Sequence, residues 1–330
     1  NTRHLDRIDL SKTILMSESS TNPGIFRKNH KKMFFCGSLF PLGIFIEKYG
    51  GSKKRLGAGG SVATTAWDFC RLISSGHLFC GGLDLGFPEN KTHFHGSFFE
   101  ERFHTLTSRI TPPEDYTYKA IISGNPFSKG NNTGTYTLTD SRLSIYIQWF
   151  EEQIKINKIS NIWNISPLGI KIEGMDYMDI KKLLNYPDIR DEIDNIRKKI
   201  ATISTDTVKQ TKKTLIQGTN ILKDELERLS TLSNKGILLI LEYKGGEQGG
   251  ISVSKLLKGL NEIDNQIMKS DSKEITSFLL QPIIDEIAEK KRAETFDAGI
   301  EESKKLYSRI RESSDFHLSL VLSHLQNYDN

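Results

Sequence analysis

The stretch Gly57-Ala58-Gly59-Gly60-Ser61-Val62-Ala63, running on to Gly82-Leu83-Asp84-Leu85, is the part of the chain from which a fold can be argued. Ser61 to Ser74 has helical periodicity, with Val62, Ala63, Ala66, Phe69, Cys70 and Ile73 on one broad face. Gly76 stops that helix, His77 to Gly82 reads as the next strand, and Asp84 lies just past its carboxyl end. A glycine-rich turn that opens a helix suits an anion. Glycine lets the backbone approach a phosphate, and the helix start points unpaired N–H groups at it. Ser61 and Thr64 add hydroxyls, and Asp84 sits where open α/β sheets bind ligands. The bland alternative is a flexible turn with Ser61 as a plain N-cap. The pattern is neither a Walker A loop, which needs Gly-Lys-Ser/Thr, nor the dinucleotide fingerprint, whose glycine spacing differs.

Outward from this stretch, the first half of the chain alternates short strands and helices. Thr13 to Met16 and Met33 to Cys36 read as strands, separated by a polar loop from Ser17 to Pro23. Tyr118 to Ile122 is a further strand candidate. Asp140 caps a helix whose Leu143, Tyr146, Ile147, Phe150 and Ile154 fall at helical spacing, and Ile159 to Ile165 is the closing strand. Residues 185–330 are rich in Lys, Glu, Ile and Leu. Val208, Leu215, Leu222 and Leu229 recur every seven residues, with Ile221 and Leu226 filling the face of a long amphipathic helix. An apolar run at 237–241 precedes the glycine cluster Gly245, Gly246, Gly249 and Gly250, read as a turn, and further helices follow Ser252. The expected fold is α/β: a Rossmann-like, mostly parallel sheet in residues 1–184, followed by a helical domain in 185–330.

Composition excludes several classes. The formal charge of +4 is small and scattered, which gives no case for nucleic acid. No apolar run approaches the length of a membrane span, so no membrane partner is expected. The start resembles neither a signal nor a transit peptide. Cys36, Cys70 and Cys80 all lie in apolar stretches and read as reduced core residues of a cytoplasmic protein.

Several segments carry a family resemblance in order. They are Gly60-Ser61-Val62-Ala63 with its helix, strand and Gly-x-Asp-Leu; Thr92-His93-Phe94-His95-Gly96; Thr139-Asp140-x-Arg142-Leu143 with Tyr146 and Trp149-Phe150-Glu151; and Asn164 with Gly169 to Gly174. Over about residues 10–185 the chain resembles the C-terminal portion of the motility-associated-factor proteins, bacterial flagellin glycosyltransferases. Their nucleotide-binding domain is similar to hydroxymethylpterin pyrophosphokinase and to sialyltransferases that use a CMP-sugar. The resemblance implies transfer of a nucleotide-activated sugar, a CMP-linked nonulosonic acid, to a Ser or Thr of flagellin or another acceptor protein. In that reading Gly59, Gly60 and Ser61 hold the phosphate, Asp84 fixes the nucleotide, and His93 takes the acceptor's proton. No cofactor is permanently bound. Two features depart from these patterns: the glycine-rich turn that the family places upstream of a segment like Thr13–Pro23 is missing, and Gly134 to Leu138 carries no histidine where the sialyltransferases place a catalytic one.

The residues leave alternatives open. An ATP-dependent pyrophosphokinase-like transfer would need Mg²⁺ and carboxylates beside the phosphates, for which Asp84 is the candidate. The third reading is a non-catalytic fragment that binds partners through its helical domain. His93-x-His95 could hold a metal from alternate strand positions, but no ligand set is completed nearby, so no metal site is assigned. Arg142 is read as a surface residue beside the cap, with phosphate contact as its alternative role.

Overall fold

The computed structural model describes residues 2–6, 8–51, 53–203, 208–244, 250–277 and 295–326. In chain order the elements are β1 (Ile14–Ser17), α1 (Pro23–Phe26), β2 (Lys32–Phe35), α2 (Pro41–Gly50), α3 (Val62–Ile73), β3 (Leu78–Cys80), α4 (Phe98–Leu106), α5 (Pro113–Ile122), β4 (Phe127–Gly130), β5 (Tyr136–Thr139), α6 (Ser141–Asn157), β6 (Ile162–Asn164), β7 (Asp176–Tyr177), α7 (Arg190–Ala201), α8 (Val208–Lys244), α9 (Val253–Met268), α10 (Lys273–Ser277) and α11 (Phe296–Gln326). The chain is mixed α/β with small sheets and a helical C-terminal region. Among the described residues no helix is long and apolar enough to cross a membrane.

The chain forms two compact units that do not divide at 184/185. Residues 1–15, 22–34 and 55–202 make the first; 16–21, 35–54 and 203–330 make the second. In the first unit β3, β6 and β7 form a parallel sheet, with Leu78 opposite Ile162 and Cys80 opposite Asn164. Its core joins Trp67 of α3, Ile147, Phe150 and Ile154 of α6, and Ile162, Ile170, Ile172 and Met175 of β6 and the chain that follows it. The helix capped by Asp140 is present as expected. Asp140 Oδ1 accepts from the Leu143 N–H at 2.7 Å, and the apolar period puts Ile147, Phe150 and Ile154 inside.

Three local expectations are corrected. Tyr118 to Ile122 is the end of α5, not a strand. Pro113 at the first helical position and Glu114 and Asp115 in the first turn start a helix there, and it runs through to Ile122. The extended chain comes later, in the antiparallel hairpin of β4 and β5. Buried Asn131 closes that hairpin: its Oδ1 accepts from the Thr133 and Thr135 amides, and its Nδ2 donates to Thr135 and Thr137 hydroxyls. The buried face of α3 is also not the apolar one. Val62, Ala66, Cys70 and Ile73 are exposed, while Thr64, Trp67 and Asp68 are buried. Thr64 and Asp68 turn inward because both bond the chain that leads into the helix. Cys70 is therefore no core residue, whereas Cys36 is buried and Cys80 is partly so.

In the second unit the seven-residue period of α8 holds at Leu222 and Leu229, which are buried with Leu226, but Ile221 is exposed. The side chain of Val208 lies outside the described residues, as do Gly245, Gly246 and Gly249 of the glycine cluster. Residues 237–241 continue α8 rather than forming a separate element. Leu229, Leu232, Ile237 and Ile240 meet Leu256, Leu260, Ile263 and Ile267 of α9 and Ile300, Tyr307 and Ile310 of α11. A second cluster needs α2. Phe45 packs with Leu222, Leu226 and Ile275, and Thr214 Oγ1 donates to the Tyr49 carbonyl at 2.6 Å. Phe45 is 4% exposed, so Phe45→Ala should destabilise this unit by about 3–5 kcal/mol. For the same reason a 203–330 fragment should bind a hydrophobic dye and melt broadly, and adding a 35–54 peptide should sharpen its unfolding curve. A cooperative, dye-silent 203–330 fragment would remove α2 from the core.

Candidate functional site

The glycine turn ahead of α3 is closed by its own helix. The Gly57 N–H donates to Asp68 Oδ2 at 2.7 Å, and Arg71 Nε and Nη2 hold Asp68 Oδ1 at 3.0 and 2.7 Å. The Gly59 N–H donates to Thr64 Oγ1 at 2.9 Å, and Thr64 is fully buried. Ser61 caps α3 by accepting from the Ala63 N–H at 3.3 Å. Glycine is required here by packing. A Cβ at Gly59 would lie 2.5 Å from the Trp149 ring, and one at Gly57 would lie 2.7 Å from it. Gly60 has φ +91° and Tyr146 beside it at 2.9 Å from any Cβ. The turn is therefore wedged against α6 rather than loose. Among the described residues, the amides of Gly60, Ser61 and Val62 have no protein partner, while those of Gly57 and Gly59 are taken.

Asp84 lies on a turn stitched at the carboxyl ends of β3 and β6. The Gly82 N–H donates to Ser166 Oγ at 3.1 Å, and Asn164 Nδ2 donates to the Leu83 carbonyl at 3.0 Å. The Ile170 N–H reaches the Asp84 carbonyl at 2.8 Å, and Thr139 Oγ1 reaches that of Leu85 at 2.8 Å. Leu85 is held at φ 45°, a backbone region uncommon for a non-glycine residue. Asp84 is half-buried, and its carboxylate has no hydrogen bond or ion pair among the described residues.

His93 lies further along, at a cavity of about 760 Å³ formed largely by α4, α5 and the segment before α4. Phe103, Tyr118, Ile121, Ile122 and Leu138 give it an apolar wall, and His93, His95, His104, Glu100 and Glu114 add polar groups. Its volume suits a small-molecule site. The His93 ring stacks on Phe99, centroids 4.0 Å apart at 14°. Burial, and then the Arg142 charge, hold the His93 imidazole below its ordinary value of 6.5, so the neutral form that can accept a proton is favoured. Glu100 fixes the approach to α4. Its Oε2 accepts from the Gly96 N–H at 2.5 Å and its Oε1 pairs with His95 Nδ1 at 2.8 Å. Those contacts, the Gly96 amide first, hold the Glu100 carboxyl below the usual range.

Neither Asp84 nor Gly59, Gly60 or Ser61 lines this cavity. What links the pieces is one face of α6, where Arg142, Tyr146 and Trp149 fall at helical spacing. Tyr146 and Trp149 meet the glycine turn, and the Arg142 charge is felt at His93. Sequence reading did not bring Glu100 or Tyr118 to this cavity. The Ser97-x-x-Glu100 signature of a helix start was available to place α4, but the pairing of α4 with α5 has no local signature. Among the described residues, no group of three or more His, Cys, Asp or Glu side chains could hold a metal ion.

An uncharacterized protein of Treponema pallidum (strain Nichols) is 27% identical over 214 residues, which cover 56% of this chain and 54% of that protein. The chain thus spans about half the length of this relative. No family model and no solved structure matches.

Gly59→Ala should destabilise the first unit by about 1–3 kcal/mol through overpacking against Trp149. Trp149→Leu should recover part of that loss in the double variant, read from urea midpoints; additive losses would mean that the contact does not matter. The depressed His93 value also gives a pH signature. The unfolded chain binds the proton more readily, so stability is lost as pH falls from 6.5 through the lower folded value. His93→Gln should flatten that part of the profile, on the acid side of 6.5. An unaltered slope would show that His93 is not shifted.

Proposed function

We propose that the chain transfers a nucleotide-activated sugar, a CMP-linked nonulosonic acid, to a serine or threonine hydroxyl of flagellin or a similar acceptor protein. The proposal includes a Rossmann-like descent for the parallel sheet of β3, β6 and β7. The observation that carries it is the shared face of α6, which has the glycine turn at Tyr146 and Trp149 and His93 within reach of the Arg142 charge. The ordered resemblance of these same segments to the motility-associated-factor proteins supports it. In this reading the amides of Gly60 and Ser61 receive the donor phosphate, and Gly59 acts by closing the turn. Asp84 offers a carboxylate to the nucleotide's ribose. Neutral His93 accepts the proton of the acceptor hydroxyl as that oxygen bonds to the sugar's anomeric carbon, and CMP leaves with the bonding electrons.

His93→Ala should lower transfer by roughly 10²–10⁴-fold and leave CMP affinity little changed, because the imidazole acts on the acceptor. Gly60→Val should weaken CMP at least about tenfold, because a β-branched residue is disfavoured at its positive φ and would meet Tyr146. Full transfer by a folded His93→Ala protein would exclude the base. Tighter binding of ATP than of CMP would move the assignment to an ATP-dependent diphosphotransferase.

A further inference from the structure

Arg142 lies in the first turn of α6, just after residues that border the cavity and one turn before Tyr146. On one side, Leu138 lines the α4–α5 cavity four residues before it. Asp140 is packed just past the end of α5, where a Cβ at Gly124 would lie 2.7 Å from Asp140 Oδ2, two residues after the cavity residue Ile122. On the other side, one helical turn beyond Arg142, Tyr146 meets Gly60. Along the chain Arg142 therefore falls between Leu138, which lines the cavity, and Tyr146, which meets the glycine turn.

Its chemistry is not used up by structure. The Arg142 side chain is 66% exposed, and its one described contact is Nη2 to Asp140 Oδ2 at 3.4 Å, too long to be a strong ion pair. Asp140 does not depend on that contact, because its other oxygen caps α6. A guanidinium has five N–H donors in a planar fork that matches phosphate oxygens, so most of its donor capacity remains.

We infer that Arg142 is a ligand-binding residue that grips the anionic phosphoryl group of the donor where it passes from the glycine turn to the cavity mouth. The inference rests on the nucleotide reading above for the identity of the donor, but the anion subsite stands on the placement of Arg142 itself.

Calorimetry with CMP and with neutral cytidine, on wild type, Arg142→Gln and Arg142→Lys, tests this. Arg142→Gln should weaken CMP at least about tenfold and leave cytidine unchanged, since a charge-assisted bond to phosphate is lost and nothing else. Arg142→Lys should recover part of the affinity. Equal affinity of wild type and Arg142→Gln for CMP, or an equal loss for CMP and cytidine, overturns the inference. Inorganic pyrophosphate separates the two readings. If CMP does not bind wild type but pyrophosphate shifts the Arg142 Nε–H resonance, the nucleotide reading fails and the anion subsite stands. If pyrophosphate leaves that resonance unmoved and CMP does not bind, both fall.

Discussion

The contact between Trp149 and the glycine turn fixes the first unit. The turn has room for hydrogen atoms only, because the indole ring fills the space that side chains at positions 57 and 59 would need. Trp149 in turn meets Trp67 and Phe150 edge-on, with centroids 5.8 and 5.2 Å away, so the turn, α3 and α6 are packed as one body. Asp68 completes the arrangement from inside α3. Buried, it is stabilised by the Gly57 amide and the Arg71 guanidinium together, which is what a desolvated carboxylate requires. From this junction follow the direction of α3 and the position of the unpartnered amides at its start.

That junction also explains which parts of the fold were legible in the sequence. α6 was readable because cap and period agree locally: Asp140 is followed by a regular apolar stripe. α3 was readable as a helix but not as a face. Its apolar residues are mostly exposed, and its polar Thr64 and Asp68 are buried, because their partners are the backbone amides of Gly59 and Gly57, outside the helix and invisible to a periodicity argument. Residues 118–122 misled because Tyr118, Ile121 and Ile122 favour strands, while the decisive signal lay earlier, at Pro113. The second unit could not be bounded from sequence, since α2 completes a cluster whose other members, Leu222, Leu226 and Ile275, lie far along the chain.

The candidate site divides the same way. Gly60, Ser61, Asp84 and His93 could be named as candidates from residue type and position relative to helix and strand ends. Their roles relative to one another were not, because no local pattern says that α4 folds onto α5 or that Arg142 and Trp149 share a face. Gly59 shows the difference most clearly. The glycine-rich pattern that suggests a phosphate cradle is here also the condition for Trp149 to pack, and the Gly59 amide serves Thr64. Only the next residues of the turn are left to meet a ligand.

The most direct test of this account is an amide-resolved NMR titration of the whole chain with CMP. The account predicts that Gly60, Ser61 and Val62 shift on saturation while Gly57 and Gly59, tied to Asp68 and Thr64, stay in place. Shifts at Gly57 and Gly59 with none at Gly60 to Val62, or no shift in the turn at saturating CMP, would contradict it.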